Sequence, residues 1–308
     1  MTAITTCIGK LPIHGDFVRH NLAQAPEIVE FDRWLLAGME RGYAVRGRAF
    51  EAELRTLPPL RFLFTSPTTG RLLHGIVLPS ADQVGRAYPF VAGFSGPAPP
   101  PGPAFDRLPM LAAASMQALL DLGTRGFVEA TLPQFLGRLQ DIVYQPDDNA
   151  AEQALRSFLF GTTLDGLWAE WPGFHQPERR QQCLLDFWQL TRPPFPPRYL
   201  TSIPTRGPPG EVAFWLTLLR QWLPMRANPV LVAWPAGADT PGAIRLVFDG
   251  LHARYFEPCF WPDHPGNQQL HLAGNHAARR DANAATVPLS ALLRPRALLQ
   301  DVIQAARG

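Results

Sequence analysis

The sequence predicts a layered α/β fold, with strands and helices intermixed along the chain. Three observations predict it. Pro26–Arg41 places Ile28, Phe31, Leu35 and Met39 at helical spacing, one buried face. Leu60–Ser66 and Leu72–Leu78 are β-prone runs on either side of Pro67-Thr68-Thr69-Gly70, the pattern of a hairpin. Glu211–Leu223 sets Val212, Trp215, Leu216, Leu219, Trp222 and Leu223 on the i, i+3, i+4, i+7 template, and strand-like runs follow at Val230–Trp234 and Ile244–Phe248. Strands mixed with helices in both halves favour a layered α/β domain over separate all-α and all-β parts.

In chain order, Pro26 suits the first helical position, Glu27 and Glu30 favour the positive end of the helix dipole, and Gly42 reads as a stop. Trp34 neighbours the buried stripe and is assigned to the core. Tyr88–Phe94 is a third strand, and Pro109–Leu122 and Pro133–Tyr144 are two helices with apolar sides. Further helices are expected at about Ala150–Phe160 and Pro177–Leu190, and a last one at Pro288–Ala306. His264–Ala285 is polar, rich in Asn and Gln, and is expected to be a mobile surface segment. The 33 prolines cluster at Pro97–Pro103, Pro193–Pro197 and Pro204–Gly210, where no helix or central strand can continue. They read either as loops of one domain or as linkers. The division drawn from this is an N-terminal domain, residues 1–145, and a C-terminal α/β region, residues 146–308, which can pack with the first as one unit.

Composition narrows the function. A chain of 308 residues with 46% hydrophobic and 18% charged residues is neither disordered nor a coiled coil. Lys+Arg 28 against Asp+Glu 26 gives +2, too little for a general binder of nucleic acid or of a membrane surface. Lys10 is the only lysine. Cys7, Cys183 and Cys259 are far apart with no C-x-x-C, which fits a reducing compartment and argues against a disulfide framework or a zinc ribbon. The N-terminus has no basic start followed by an apolar run, and no apolar stretch reaches the ~20 residues of a bilayer span. The expectation is a soluble cytoplasmic protein without membrane insertion.

Enzyme signatures are missing. Gly9-Lys10 lacks the earlier glycine and the following Ser or Thr of a phosphate loop, since Ile4 and Leu11 occupy those positions. No G-x-S-x-G elbow occurs, and Cys7 reads as a small apolar filler. His14 and Asp16 are two residues apart, so a strand would place them on one face as an acid–base pair, but with no nucleophile. His264, His271 and His276 could hold a metal for a metal-assisted hydrolase. Their gaps of seven and five, in a segment with no evident anchor, fit surface histidines better. No catalytic residue, cofactor or metal site is assigned.

What remains are two clusters rich in Gly, Pro and Asp. The first is Gly9-Lys10-Leu11-Pro12-Ile13-His14-Gly15-Asp16-Phe17-Val18, in which Gly15 permits a left-handed backbone and Asp16 can bind amides further on. The second is Pro79-Ser80-Ala81-Asp82-Gln83-Val84-Gly85-Arg86-Ala87-Tyr88-Pro89-Phe90, in which Ser80 or Asp82 can cap a turn, Gly85 can reverse the chain and Tyr88-Pro89 restarts a strand. The planar fork of Arg86 suits a carboxylate, and Asp16 is the expected partner. The clusters are read both as fold-defining turns stapled by that pair and as an exposed surface for a protein partner.

These motifs, GKLPIHGDFV, then FDRWLLAGM, then GIVLPSADQVGRAYPF, resemble the TagF (ImpM) family of type VI secretion-associated proteins over residues 1–140. The resemblance implies a sheet with helices on both faces, a three-layer sandwich, and a cytoplasmic accessory role. It further implies post-translational repression of secretion through a forkhead-associated scaffold protein, with no catalytic residue. The motif positions carried over are Gly9, Lys10, Leu11, Pro12, Gly15, Asp16, Phe17, Trp34, Ser80, Asp82, Gly85, Arg86, Tyr88 and Pro89. The expected function is a regulator acting by protein binding; the alternatives are the metal-assisted hydrolase and a structural part of the secretion apparatus.

Overall fold

The structure, a computed structural model, describes residues 3–125, 131–169, 201–222, 228–237, 242–261, 270–271 and 297–305. The chain enters the sheet at once. β1 (Ile4–Gly9) turns through the first Gly-rich cluster and returns antiparallel as β2 (Val18–His20), with Cys7 opposite His20 and Gly9 opposite Val18. Sequence reading gives no strand here, because runs this short beside Gly, Pro and Asp look like turn.

α1 (Pro26–Arg46) starts at Pro26 as expected but runs past Gly42. That glycine is there for packing: the ring of Phe50, on α2 (Arg48–Arg55), fills the space a Cβ would need. The break falls instead at Gly47, with φ 57. β3 (Leu60–Thr65) and β4 (Arg71–Leu78) form the expected hairpin, with Leu63 opposite His74, and β5 (Phe90–Pro97) lies between β4 and β1.

After the short α3 (Pro103–Asp106), the expected helix at Pro109–Leu122 is broken into α4 (Leu108–Leu111) and α5 (Ala113–Arg125). α6 (Leu132–Asp141) ends before Tyr144, whose ring leaves to pack 4.4 Å from His74. α7 (Asp148–Gly161) begins where the Asp147 carboxylate accepts the Ala150 N–H at 2.9 Å, and α8 (Leu164–Trp168) follows. Then come β6 (Thr201–Thr205), α9 (Pro209–Trp222), β7 (Leu231–Pro235) and β8 (Gly242–Val247). A 3-10 turn at Ala253–Tyr255, α10 (Phe256–Phe260), β9 (Leu270–His271) and α11 (Leu299–Ala305) complete the order. The helix expected at Pro177–Leu190 and most of His264–Ala285 lie outside the described residues.

The nine strands among the described residues form one sheet in the order β2-β1-β5-β4-β3-β7-β8-β6-β9, antiparallel except for β6 with β9. β3 pairs with β7, Phe62 opposite Ala233, so residues from 1–145 and from 146–308 share the sheet. Both its faces are covered. Leu63, Leu72, Ile76, Ala92 and Phe94 face a core with α3 to α9 and α11. Phe62, Phe64, Leu73, Val77 and Val91 face a second core with α1, α2, the 3-10 turn and α10, where Phe31 stacks 4.5 Å from Phe62. This is the three-layer sandwich. Burial on both faces is why β3 and β4 read as unbroken apolar runs rather than as alternation. Each fully buried Phe or Leu contributes about 1.5–3 kcal/mol.

Candidate functional site

The sheet itself brings the two clusters together. β1 and β5 are antiparallel neighbours with Ile8 opposite Val91. The segment after Gly9 and the segment before Phe90 therefore leave the same end of the sheet. Gly9, at φ 131, lets β1 pass against Pro89: a Cβ there would stand 2.8 Å from the Phe90 Cα and closer still to the Pro89 carbonyl.

Hydrogen bonds then bind one cluster to the other. The Ser80 hydroxyl donates to the Lys10 carbonyl at 2.6 Å, the Gln83 N–H to the His14 carbonyl at 3.1 Å, and the Arg86 guanidinium to the Gly15 carbonyl at 2.9 Å. Within the second cluster the Tyr88 N–H donates to the Ser80 carbonyl at 2.9 Å, and Gly85, at φ 87, reverses the chain. At the centre lies Asp82, buried, accepting from the Arg86 N–H at 2.8 Å and its Nε at 2.6 Å, with Lys10 Nζ at 3.1 Å. Burial works against its charge. The Arg86 N–H and the Lys10 and Arg86 side chains outweigh that and hold the carboxyl well below the usual range.

This corrects two expectations. Arg86 pairs with Asp82, four residues away on its own loop, and Asp16 is exposed. Gly15 does not have a positive φ, so its turn demands no glycine. A local carboxylate reaches Arg86 at lower entropic cost than one on another loop. His14 and Asp16 are joined by no side-chain hydrogen bond or ion pair among the described residues, so they form no acid–base pair there.

The remaining motif residues divide between support and surface. Leu11 is fully buried, Pro89 is buried, and the Phe17 ring meets Tyr88 edge-on at 4.8 Å. The Tyr88 hydroxyl donates to Asp32 of α1 at 2.6 Å. Trp34 belongs to the core, donating to the His252 carbonyl at 3.0 Å and packing on Phe256, away from the loop surface. Outside stand Pro12, Asp16, Gln83, Val84 at 72% exposure, and Arg86 with its side chain 63% exposed. Sequence reasoning missed Arg55 of α2, which donates to the Gly85 carbonyl, and Arg19, stacked 4.6 Å over Phe17. Nothing local in the sequence points from Arg55 to Gly85, 30 residues on.

Buried thiols accompany this. Desolvation pushes both Cys7 and Cys259 up to about 12, which removes them as nucleophiles at neutral pH. Among the described residues no group of three or more His, Cys, Asp or Glu is placed to hold a metal; His264 and His276 lie outside those residues. No described helix is long and apolar enough to cross a membrane.

Residues 6–141 match the family model of the TagF N-terminal domain, type VI secretion system-associated. Among curated proteins none matches the chain. PA0076 from Pseudomonas aeruginosa PAO1, known from a crystal structure, is 26% identical over 46% of this chain and 64% of its own, with a TM-score of 0.39. The chain thus spans about 64% of that relative's length. Both loop clusters, β2 to β5, α1 to α6 and β1 from Thr6 onward fall inside the matched residues: it is residues 6–141 that correspond to a TagF N-terminal domain, type VI secretion system-associated.

Proposed function

We propose that the protein is a cytoplasmic, non-enzymatic accessory of a type VI secretion system that represses secretion post-translationally by binding another protein. The observation that supports it is the loop pair. Inside the matched domain, two segments about 70 residues apart in sequence are held in one place by backbone-directed hydrogen bonds. Their buried groups are spent on each other, and the outward groups are Arg86, of a type enriched at interface centres, with Val84, Pro12, Asp16 and Gln83 around it. A pre-ordered surface loses little entropy on binding. The proposed partner is a forkhead-associated scaffold of the secretion apparatus, and repression requires that its active and inactive states be bound with different affinity.

The test is affinity capture from cells with the secretion cluster intact, comparing the wild-type chain with the double variant Asp16→Arg, Val84→Asp. Both side chains are exposed, so the variant should keep its melting temperature while capture of the scaffold drops about tenfold or more. Undiminished capture by the folded variant would remove the loops as the binding surface. A rise in secretion on overproduction of the wild-type chain would overturn the repressor role.

A further inference from the structure

A half-open pocket of about 370 Å³ lies on the opposite face of the sheet from α1, where the α3–α4 turn meets α7, α9 and α11. Its size is that of small-molecule sites. Neither loop cluster contributes to it. One wall is a single side of α7: Glu152, Leu155, Arg156, Leu159 and Phe160 recur at helical spacing. Leu155 and Leu159 are buried and floor the pocket, while Arg156 and Phe160 stand at its rim, 70% and 54% exposed. The wall is therefore polar at one end and apolar at the other. At 1.5 Å per residue, Phe160 lies about 6 Å along the helix from Arg156 and about 12 Å from Glu152.

Arg107, in the α3–α4 turn, joins the charged end. Its nitrogens stand 3.5 Å from Asp148 and 4.0 Å from Glu152, and Arg156 stands 3.7 Å from Glu152. These separations are long for hydrogen bonds, and the Arg107 Nε is buried without a partner. Arg220, also at the pocket, is the contrast: its fork closes on the Asp106 carboxylate, Nε to Oδ2 at 2.6 Å. Two guanidinium groups thus share one carboxylate, Glu152, that neither grips closely.

We propose that this pocket binds a small amphipathic anion. Its carboxylate or phosphate head sits between Arg107 and Arg156, and its apolar body lies over Leu155 and Leu159 and ends against Phe160. The guanidinium fork matches either head. Glu152, shared by both arginines, and Asp148, beside Arg107, are the internal competitors that the ligand head must displace.

Calorimetric titration of the full chain with phenylbutyrate, phenyl phosphate and inorganic phosphate tests it. Both aryl anions should saturate with Kd of about 1 mM or tighter, and inorganic phosphate, lacking the body, should bind at least about tenfold more weakly. Arg156→Gln should weaken the aryl anions about tenfold, and Glu152→Gln should tighten them about threefold. Phe160→Ser should weaken the aryl anions and leave phosphate unchanged. Arg156, Glu152 and Phe160 are exposed, so all three variants should fold. No saturation, or affinities indifferent to both Arg156→Gln and Glu152→Gln, would overturn the proposal whatever the loops bind.

Discussion

Alanine substitutions at Gly9, Gly85 and Gly15 separate a loop geometry that is enforced from one that is only occupied. At Gly9 two penalties coincide. φ 131 is a conformation that side-chain-bearing residues avoid, costing about 1–3 kcal/mol, and the new Cβ would meet the Pro89 carbonyl and the Phe90 Cα, backbone atoms that cannot rotate away. Forcing that overlap apart adds about 1–3 kcal/mol. At Gly85, φ 87 brings strain alone, about 1–2 kcal/mol, because the nearest atoms are the Arg55 guanidinium, 3.8 Å away. At Gly15 neither penalty applies: φ is not positive and the Gln83 Oε1 stands at an ordinary 3.8 Å. Gly15→Ala should then be neutral or stabilising by up to about 1 kcal/mol, through a less flexible unfolded chain.

Guanidinium unfolding of the three variants reads these values directly. The expected order of loss is Gly9 about 4 kcal/mol, Gly85 about 1–2, Gly15 none. The decisive comparison is Gly9 against Gly15, which lie in the same loop. If Gly9→Ala unfolds within about 1 kcal/mol of wild type, β1 does not press on Pro89 and the two clusters are not locked together. If Gly15→Ala is as costly as Gly9→Ala, the turn at Gly15 has been misread.

Burial lowers the His74 imidazole to about 3 from 6.5, so the native state refuses a proton that the unfolded chain accepts. Stability should be full above pH 6.5 and fall as pH drops from 6.5 toward 3, and His74→Leu should flatten that limb of the urea midpoint against pH. Burial raises Glu211 to about 7, against the opposing hydrogen bonds of Thr205, the Arg206 N–H and Trp215. Here stability is full below the ordinary 4.5 and is lost as pH rises through 7, so Glu211→Gln should be the more stable protein above pH 7, by roughly 3 kcal/mol. Asp106→Leu strands the Arg220 guanidinium and should cost about 3–5 kcal/mol in denaturant unfolding, with part recovered by adding Arg220→Met. Arg86→Ala, at a side chain 63% exposed, should change stability by no more than about 1 kcal/mol; a larger loss would make Arg86 a structural rather than a contact residue.

What could be read from residues alone followed burial and punctuation. The β3–β4 hairpin was legible because four turn residues separate two apolar runs, and α9 because its apolar residues recur at helical spacing. β1 and β2 were not, since β2 is three residues long and is held by its partner rather than by its own propensity. The likeness of the two loop clusters as partners was legible; which carboxylate Arg86 would take was not. Charge complementarity admits both Asp16 and Asp82, and only the folded backbone shows that Arg86 turns back on its own loop while reaching the Gly15 carbonyl. The pocket had no signal at all, because its walls come from α3, α7, α9 and α11, and no local window contains two of them.

The position of Asp82 decides what kind of surface the loops can be. Were its carboxylate at the surface, Lys10 and Arg86 would be neutralised at the place proposed for partner contact. Instead Asp82 is buried, and the Val84 N–H, the Arg86 N–H and the Lys10 ammonium satisfy it without the Arg86 side chain, whose Nε adds a further bond. The guanidinium is then shared: Nε is engaged inward with Asp82, Nη2 caps the Gly15 carbonyl, and the rest of the side chain faces water. Fold and contact therefore rest on different ends of one ion pair. Asp82→Asn should loosen both loops and lower stability, whereas Arg86→Gln, which keeps a donor toward Gly15, should spare stability and weaken partner capture. A stability loss of equal size in both variants would mean that the pair is a staple and nothing more, and the recognition surface would have to lie elsewhere on the domain.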